Sequence, residues 1–143
     1  MRIEKIIYID KDISNFIFQL RNKSYVRKNS LFTSLITFKS HNIWIKEFFR
    51  EKNKLFIIFK RKLPIGYVRL QKEKKIYNTS WALMKKYQGK GYAKKFLKLT
   101  TKNKSLKYKA LIKEKNIASI KIALAANFKI KRKKNHIFYL FKN

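Results

Sequence analysis

Glycine and proline interrupt regular structure more than other residues do, and this chain has only three glycines and one proline in 143 residues. Two of the glycines, Gly89 and Gly91, are separated by a single lysine. They follow an apolar stretch typical of a strand and precede a stretch with helical spacing. Glycine tolerates positive φ, so successive N–H groups can point to one side, next to the positive end of a helix. The segment is therefore predicted to bind a pyrophosphate, with Lys90 and Lys94 adding charge. An ordinary strand-to-helix turn is the alternative.

The same loop lacks the patterns of two familiar phosphate sites. Gly91 is not followed by Lys and then Ser or Thr, which excludes a mononucleotide P-loop. No third glycine follows, and the preceding strand is not the first of a βαβ unit, which excludes the dinucleotide fingerprint.

The order of apolar patterns predicts a single α/β (α+β) domain over residues 1–143. Strands are predicted at 2–9, 55–59, 65–70, 76–84 and 107–112, with two more after residue 127, the second at 137–141. Helices are predicted at 13–20, from about 40 to 49, at 92–101 and at 116–126. The order is β-α-α-β-β-β-α-β-α-β-β, with residues 61–64 turning the first hairpin. We expect a mixed, mostly antiparallel central sheet flanked by about four helices.

The net charge of +31, from 38 basic and 7 acidic residues, would attract any polyanion. Lysine far outnumbers arginine and is spread along the whole chain, which favours a solvated surface and a compositional bias over one basic arm. The absence of cysteine excludes disulfides, thiolate ligands and a cysteine nucleophile, and we expect no metal. No signal sequence or membrane-length apolar run is present, so we expect a cytoplasmic protein without membrane insertion, as a monomer or homodimer.

Two short motifs resemble those of the GNAT superfamily of N-acetyltransferases. Gln88, Gly91 and Ala93 form Gln-x-x-Gly-x-Ala, similar to its motif A, and Asn116 with Ser119 resembles the start of its second motif. The element order is similar to the family's core along almost the whole chain. The resemblance implies acetyl-CoA as acyl donor, with pantetheine along a splayed strand and the pyrophosphate on the glycine loop. The residues implied to contact the cofactor are Trp81, Ala82, Leu83, Gln88, Gly89, Lys90, Gly91, Tyr92, Ala93, Lys94 and Asn116.

The catalytic groups are less clearly marked. An N–H near Leu83 would polarise the thioester carbonyl. Ala123 stands where many family members have a tyrosine that protonates the departing thiolate, although a thiolate of pKa about 8.5 can leave without a dedicated acid. His41 is the candidate general base, because histidine titrates near neutrality. A water chain, or a solvent-facing role for His41 at a helix start, remains open.

The N-terminal third resembles a narrower group, the acetyltransferases of bacterial surface-sugar pathways that act on UDP-4-amino-sugars. The resemblance rests on Arg21-Asn22, on His41 three residues before Trp44, and on Gly66-x-x-x-Leu70. A nucleotide sugar brings its own pyrophosphate, which Arg21, Arg27 and Arg69 could clamp while Trp44 stacks on a ring. The predicted acceptor is thus a small amine, a nucleotide-linked amino sugar.

Three other functions remain open at this point. The chain could acetylate a protein or another small amine. It could be a basic nucleic-acid-binding module, for which the charge and the interspersed Tyr and Phe are the arguments. It could also bind acetyl-CoA without turnover, given Ala123.

Overall fold

The computed structural model describes all residues, 1–143. Seven strands form one sheet in the order β1-β2-β3-β4-β5-β7-β6, in which only the β4–β5 pair is parallel. The strands are β1 (Arg2–Ile6), β2 (Lys54–Lys60), β3 (Leu63–Glu73), β4 (Ile76–Leu83), β5 (Lys107–Lys113), β6 (Lys129–Lys134) and β7 (Ile137–Lys142). The helices are α1 (Lys11–Asn22), α2 (Ser24–Arg27), α3 (Phe38–Arg50), α4 (Tyr92–Thr100) and α5 (Ile117–Ala125), with one 3-10 turn at Lys85–Tyr87. The predicted fold class and element order are confirmed, with α2 as an additional helix.

Side-chain caps explain where three of the helices begin. Asp10 accepts a hydrogen bond from the N–H of Ile13 at the start of α1, and Thr37 does the same at the start of α3. Asn116 caps α5 in this way. Each cap satisfies one of the N–H groups that a first turn leaves without a partner.

The sheet separates two apolar layers. Alternate residues of β2 and β3, such as Leu55 and Tyr67, pack against α1 and α3. The opposite face packs against α4 and α5 and includes Val68, Phe96 and Phe128. Because strand side chains alternate between faces, both faces of the central strands are buried.

The strands β4 and β5 separate soon after they meet. They pair only from Ile76 to Asn78, opposite Lys107 to Lys109, and beyond that point β4 has no neighbour on this side. On its other side β4 stays paired with β3 as far as Leu83 opposite Gly66. A Cβ on Gly66 would lie 2.6 Å from the carbonyl oxygen of Ala82, so only glycine lets the end of β4 approach so closely. A V-shaped cleft results.

Several predicted boundaries were wrong. β1 ends at Ile6 and not at residue 9, because Ile6 pairs with Leu55 close to the beginning of β2. Pro64 belongs to β3 and not to the turn, next to a bulge at Ile58/Phe59 that accommodates it. α3 begins at Phe38, about two residues earlier than predicted, because Thr37 provides the cap.

Candidate functional site

The cleft continues into a cavity of about 570 Å³. Its walls come from β4, the glycine loop and the start of α4, β5 and α5, and the segment from α1 to the beginning of α3. Arg21, Arg69, Lys94 and Lys121 are among the lining residues, whereas no Asp, Glu or His is. The cavity is therefore cationic and suits an anionic ligand.

The main chain of β4 supplies one wall. Met84 donates its N–H to the carbonyl of Ile65 on β3. Hydrogen-bonded and non-bonded pairs alternate along an antiparallel ladder, so Trp81 and Leu83 direct their main-chain groups away from β3, toward the cleft. These are the groups that an extended ligand could pair with, as another strand would.

The glycine loop forms the next wall. Gly89 and Gly91 have φ of 73° and 82°, which explains why glycine stands at both positions. No atom lies within 4 Å of a Cβ built at either, so the space beside them is open. Gly91 is the N-cap of α4, whose first N–H groups and positive dipole end face the loop. The lining residues here are Gln88, Gly89, Gly91, Tyr92, Ala93 and Lys94, while Lys90 is exposed outside the cavity.

Two hydrogen bonds fix the chain between β4 and α4. The side-chain amide of Gln88 donates to the carbonyl of Leu83 at 3.0 Å. The N–H of Lys85 donates to the hydroxyl of Tyr25 at 3.1 Å, which joins this segment to α2. The loop is thereby held to both the strand end and the N-terminal part of the cavity.

The helix α5 closes the side opposite β4. The side-chain oxygen of Asn116 accepts from the N–H of Ser119 at 3.2 Å, and both residues line the cavity. Capping uses the oxygen, so the amide nitrogen of Asn116 is available to a ligand. Ala123 is fully buried in the core and offers no acid.

Two arginines, Arg21 on α1 and Arg69 on β3, lie next to Trp44. The guanidinium carbons of Arg21 and Arg69 lie 4.4 and 5.2 Å from the centre of its indole ring. Neither arginine pairs with a carboxylate, and Nη1 of Arg21 is buried without a partner. Burial, and secondly the charge of Arg69, lowers the pKa of Arg21 to about 10. An anion bound next to the two guanidinium groups would offset both effects.

Arg27 does not lie with Arg21 and Arg69, where it was predicted to bind the pyrophosphate of the acceptor. It does not line the cavity. Its Nε donates to the carbonyl of Asn22 at 3.1 Å and its Nη1 to the carbonyl of Thr33 at 3.2 Å. These hydrogen bonds of Arg27 stabilise the loop after α2, and Arg27 is not part of the pair formed by Arg21 and Arg69. Trp44 also lies outside the lining, behind the two arginines.

His41 is fully buried and does not reach the cavity. Its Nε2 lies 3.0 Å from Oγ of Ser14, and its Nδ1 has no partner. Burial, and secondly the charge of Arg21, lowers its pKa. His41 lies on the core face of α3, four and seven residues before Ile45 and Phe48, so its position does not support the predicted role as general base.

Tyr67 is a lining residue that the sequence reasoning missed. Tyr67 is buried and lies on the same face of β3 as Arg69, which follows it by two residues. The period of two along a strand was the available signal, because a residue two positions before a predicted ligand shares its face.

The fold is shared with solved structures of low sequence identity, two of them named as acetyltransferases. A domain from Methanocaldococcus jannaschii superimposes with a TM-score of 0.84 at 19% identity, covering 99% of this chain and 98% of the other. Spermidine N-acetyltransferase from Vibrio cholerae, with CoA and spermine, gives 0.81 at 13% over 98% and 94%. The N-acetyltransferase PseH of Campylobacter jejuni, with acetyl coenzyme A, gives 0.71 at 15% over 99% and 97%. No curated protein sequence matches the chain significantly.

A cleft between diverging strands, closed by a glycine loop at a helix start, defines an acyltransferase of the acetyl-CoA-dependent type. The chain belongs to the acetyltransferase (GNAT) domain family, whose model matches residues 7–129. It is therefore an enzyme that uses acetyl-CoA as acyl donor, as predicted. The structure contains no group of three His, Cys, Asp or Glu residues that could hold a metal ion. None of its helices combines the length and hydropathy needed to cross a bilayer.

Proposed function

We propose that this chain transfers the acetyl group of acetyl-CoA to the primary amine of a small anionic acceptor, an amino sugar linked to a nucleotide. The observation that carries this proposal is the pair Arg21 and Arg69, which lines a cavity without a single carboxylate. A phosphate-bearing acceptor supplies the negative charge that this pair lacks. A polyamine would instead bring two or more positive charges to a site that already repels them.

The residues of the cleft fit the acyl donor. The open space beside Gly89 and Gly91 allows a pyrophosphate to approach the main chain. The outward main-chain groups of Trp81 and Leu83 suit the amides of pantetheine, and Asn116 has a free amide donor on the opposite side. Lys94 adds a positive charge next to the loop.

Acetyl-CoA supplies an acetyl group activated as a thioester, which the acceptor amine takes by direct attack in a ternary complex. The N–H of Leu83 points into the cleft and would donate to the thioester carbonyl oxygen, in the manner of an oxyanion hole. Gln88 donates to the carbonyl of the same residue, which belongs to the next peptide group, and so restrains the main chain directly after that N–H. Much of the rate then comes from positioning the amine against the thioester.

Protons leave the amine through water, because no Asp, Glu or His lines the cavity. On the other side of the reaction, Ala123 cannot protonate the thiolate, whose unperturbed pKa of about 8.5 lets it depart as an anion. These two features predict an enzyme whose rate rises with pH as the acceptor amine loses its proton.

An acceptor panel tests the proposal. Purified protein and acetyl-CoA are incubated with a UDP-4-amino-sugar, with the same amino sugar lacking the nucleotide, and with spermidine, and products are identified by mass spectrometry. Loss of the charged contacts should lower kcat/KM about a hundredfold for the free sugar. Preferential acetylation of spermidine would contradict the proposed acceptor while leaving the acetyltransferase chemistry intact.

A further inference from the structure

A set of large apolar side chains lies exposed beside the cavity mouth. Leu31, Phe32 and Leu35 belong to the loop between α2 and α3, and Phe38 is the first residue of α3. Their exposed fractions are 50%, 67%, 65% and 54%. We call these four residues the apolar rim. The four lie within eight consecutive positions of the chain, and large apolar side chains exposed so close together favour a contact surface.

The loop that carries the rim is held in place by polar contacts from the preceding helices. The side chain of Asn22 accepts from the N–H of Ile36 and donates to its carbonyl, both at 2.8 Å. Arg27 binds the carbonyl of Thr33. The main chain is thus fixed while all four apolar side chains remain at least half exposed, so the rim is available for contact with a partner.

The charge around the rim has one sign. No acidic residue occurs between Asp12 and Glu47. The basic residues in that stretch are Arg21, Lys23, Arg27, Lys28, Lys39 and Lys46. Lys23, Lys28 and Lys39 are exposed close to the rim in the chain. A second copy of the chain would meet this surface with its own charge of +31, and the two would repel.

We propose that the apolar rim docks on a lipid bilayer that carries anionic headgroups. Leucine and phenylalanine side chains enter the boundary between headgroups and acyl chains, and the nearby lysines remain among the headgroup phosphates. This proposal goes beyond the acetyl-transfer function and does not depend on the identity of the acceptor. Because Leu31 and Phe32 also line the cavity, docking turns the acceptor entrance toward the membrane surface.

The experiment is a flotation assay with vesicles of phosphatidylglycerol or phosphatidylcholine. The test variant is Leu35→Ser with Phe38→Ser, since neither residue lines the cavity. The matched control is Leu99→Ser with Ile130→Ser, two apolar residues exposed at 43% on other elements. Both variants are checked for acetyl-CoA affinity, which should not change. Phe38 packs edge-on against Phe18, so Leu35→Ser alone serves if the double variant does not fold.

The wild type and the control should bind phosphatidylglycerol vesicles equally, and the test variant about tenfold more weakly. The difference should persist at about 1 M salt, where the screening length falls to about 3 Å and general attraction between charges is lost. Equal binding by the two variants would overturn the proposal, because binding would then depend on net charge alone. A dimer of the wild type that the test variant loses in sedimentation velocity would also overturn it, by assigning the rim to a second copy.

Discussion

The side-chain amide of Gln88 lies 3.0 Å from the main-chain carbonyl of Leu83 and donates a hydrogen bond to it. Gln88 begins the glycine loop and Leu83 ends β4, so this bond joins the two walls of the cleft that would bind different parts of acetyl-CoA. The residue whose N–H is proposed to polarise the thioester is held, through its carbonyl, by the loop that is proposed to bind the pyrophosphate.

Replacing Gln88 by Ala should weaken acetyl-CoA binding about threefold to tenfold, the worth of one hydrogen bond that positions the residue proposed to contact the thioester. Gln19→Ala on the exposed side of α1 is the control and should have no effect. Calorimetric titration of acetyl-CoA measures both. Equal affinities in the two variants would show that the bond does not organise the cleft.

Gly66→Ala should destabilise the fold by about 1–3 kcal/mol, because the added Cβ would lie 2.5 Å from Cδ2 of Leu83 and 2.6 Å from the carbonyl oxygen of Ala82. The end of β4 must move to accommodate it, so acetyl-CoA affinity should fall as well. Urea denaturation gives the free energy of unfolding. An unchanged midpoint together with unchanged affinity would mean that β4 does not need this close approach.

Arg69→Gln should have opposite effects on acceptor binding and on stability. It removes a charge that repels Arg21, and this gain should exceed the loss of the hydrogen bond from Nε of Arg69 to Oγ of Ser80 at 3.0 Å, so the melting temperature of the free protein should rise. The acceptor KM should rise about tenfold or more, since one charge-assisted contact is lost, while the affinity for acetyl-CoA stays the same. Arg50→Gln, at an exposed position at the end of α3, is the control. A lower melting temperature with an unchanged KM would assign Arg69 a purely structural role.

Buried His41 should make the protein less stable in mild acid. Its pKa in the folded state is lowered below 6.5, by burial and then by the charge of Arg21. The unfolded chain therefore binds a proton first, and the free energy of unfolding should fall as pH drops below about 6.5. His41→Gln should reduce this dependence, whereas His136→Gln, at an exposed turn, should retain it. Parallel curves for all three proteins between pH 7.5 and 5.5 would contradict the assignment.

The sequence predicted those features that depend on local chemistry. The loop that contains Gln88, Gly91 and Ala93 could be recognised because glycine is scarce in this chain and the loop lies between a strand and a helix. The helix starts at Asp10 and Asn116 could be predicted because a capping side chain acts on the next turn of the same chain. Thr37 has the same local signal, which the prediction did not use, so the predicted start of α3 was about two residues late. The burial of His41 follows from its spacing of four and seven residues to Ile45 and Phe48.

Features that need residues from distant parts of the chain could not be predicted with the same certainty. Arg21 and Arg69 are 48 positions apart in the numbering and meet only because α1 packs across β3 beside Trp44. Arg27 has the same residue type and is closer to Arg21 in sequence, yet it binds main-chain carbonyls of its own loop. Charge alone does not distinguish an arginine that lines a ligand-binding cavity from one whose hydrogen bonds stabilise a loop.

Titration of acetyl-CoA into the protein by calorimetry, at low and high salt, tests the central claim most directly. Polyphosphate and the double variant Gly89→Val with Gly91→Val are the controls, because Val is disfavoured at φ of 73° and 82°. Binding at one site that survives high salt, that polyphosphate does not reproduce and that the variant loses is the predicted result. Weak binding that disappears with salt, matches polyphosphate and persists in the folded variant would contradict it, leaving only the general attraction of a very basic protein for anions.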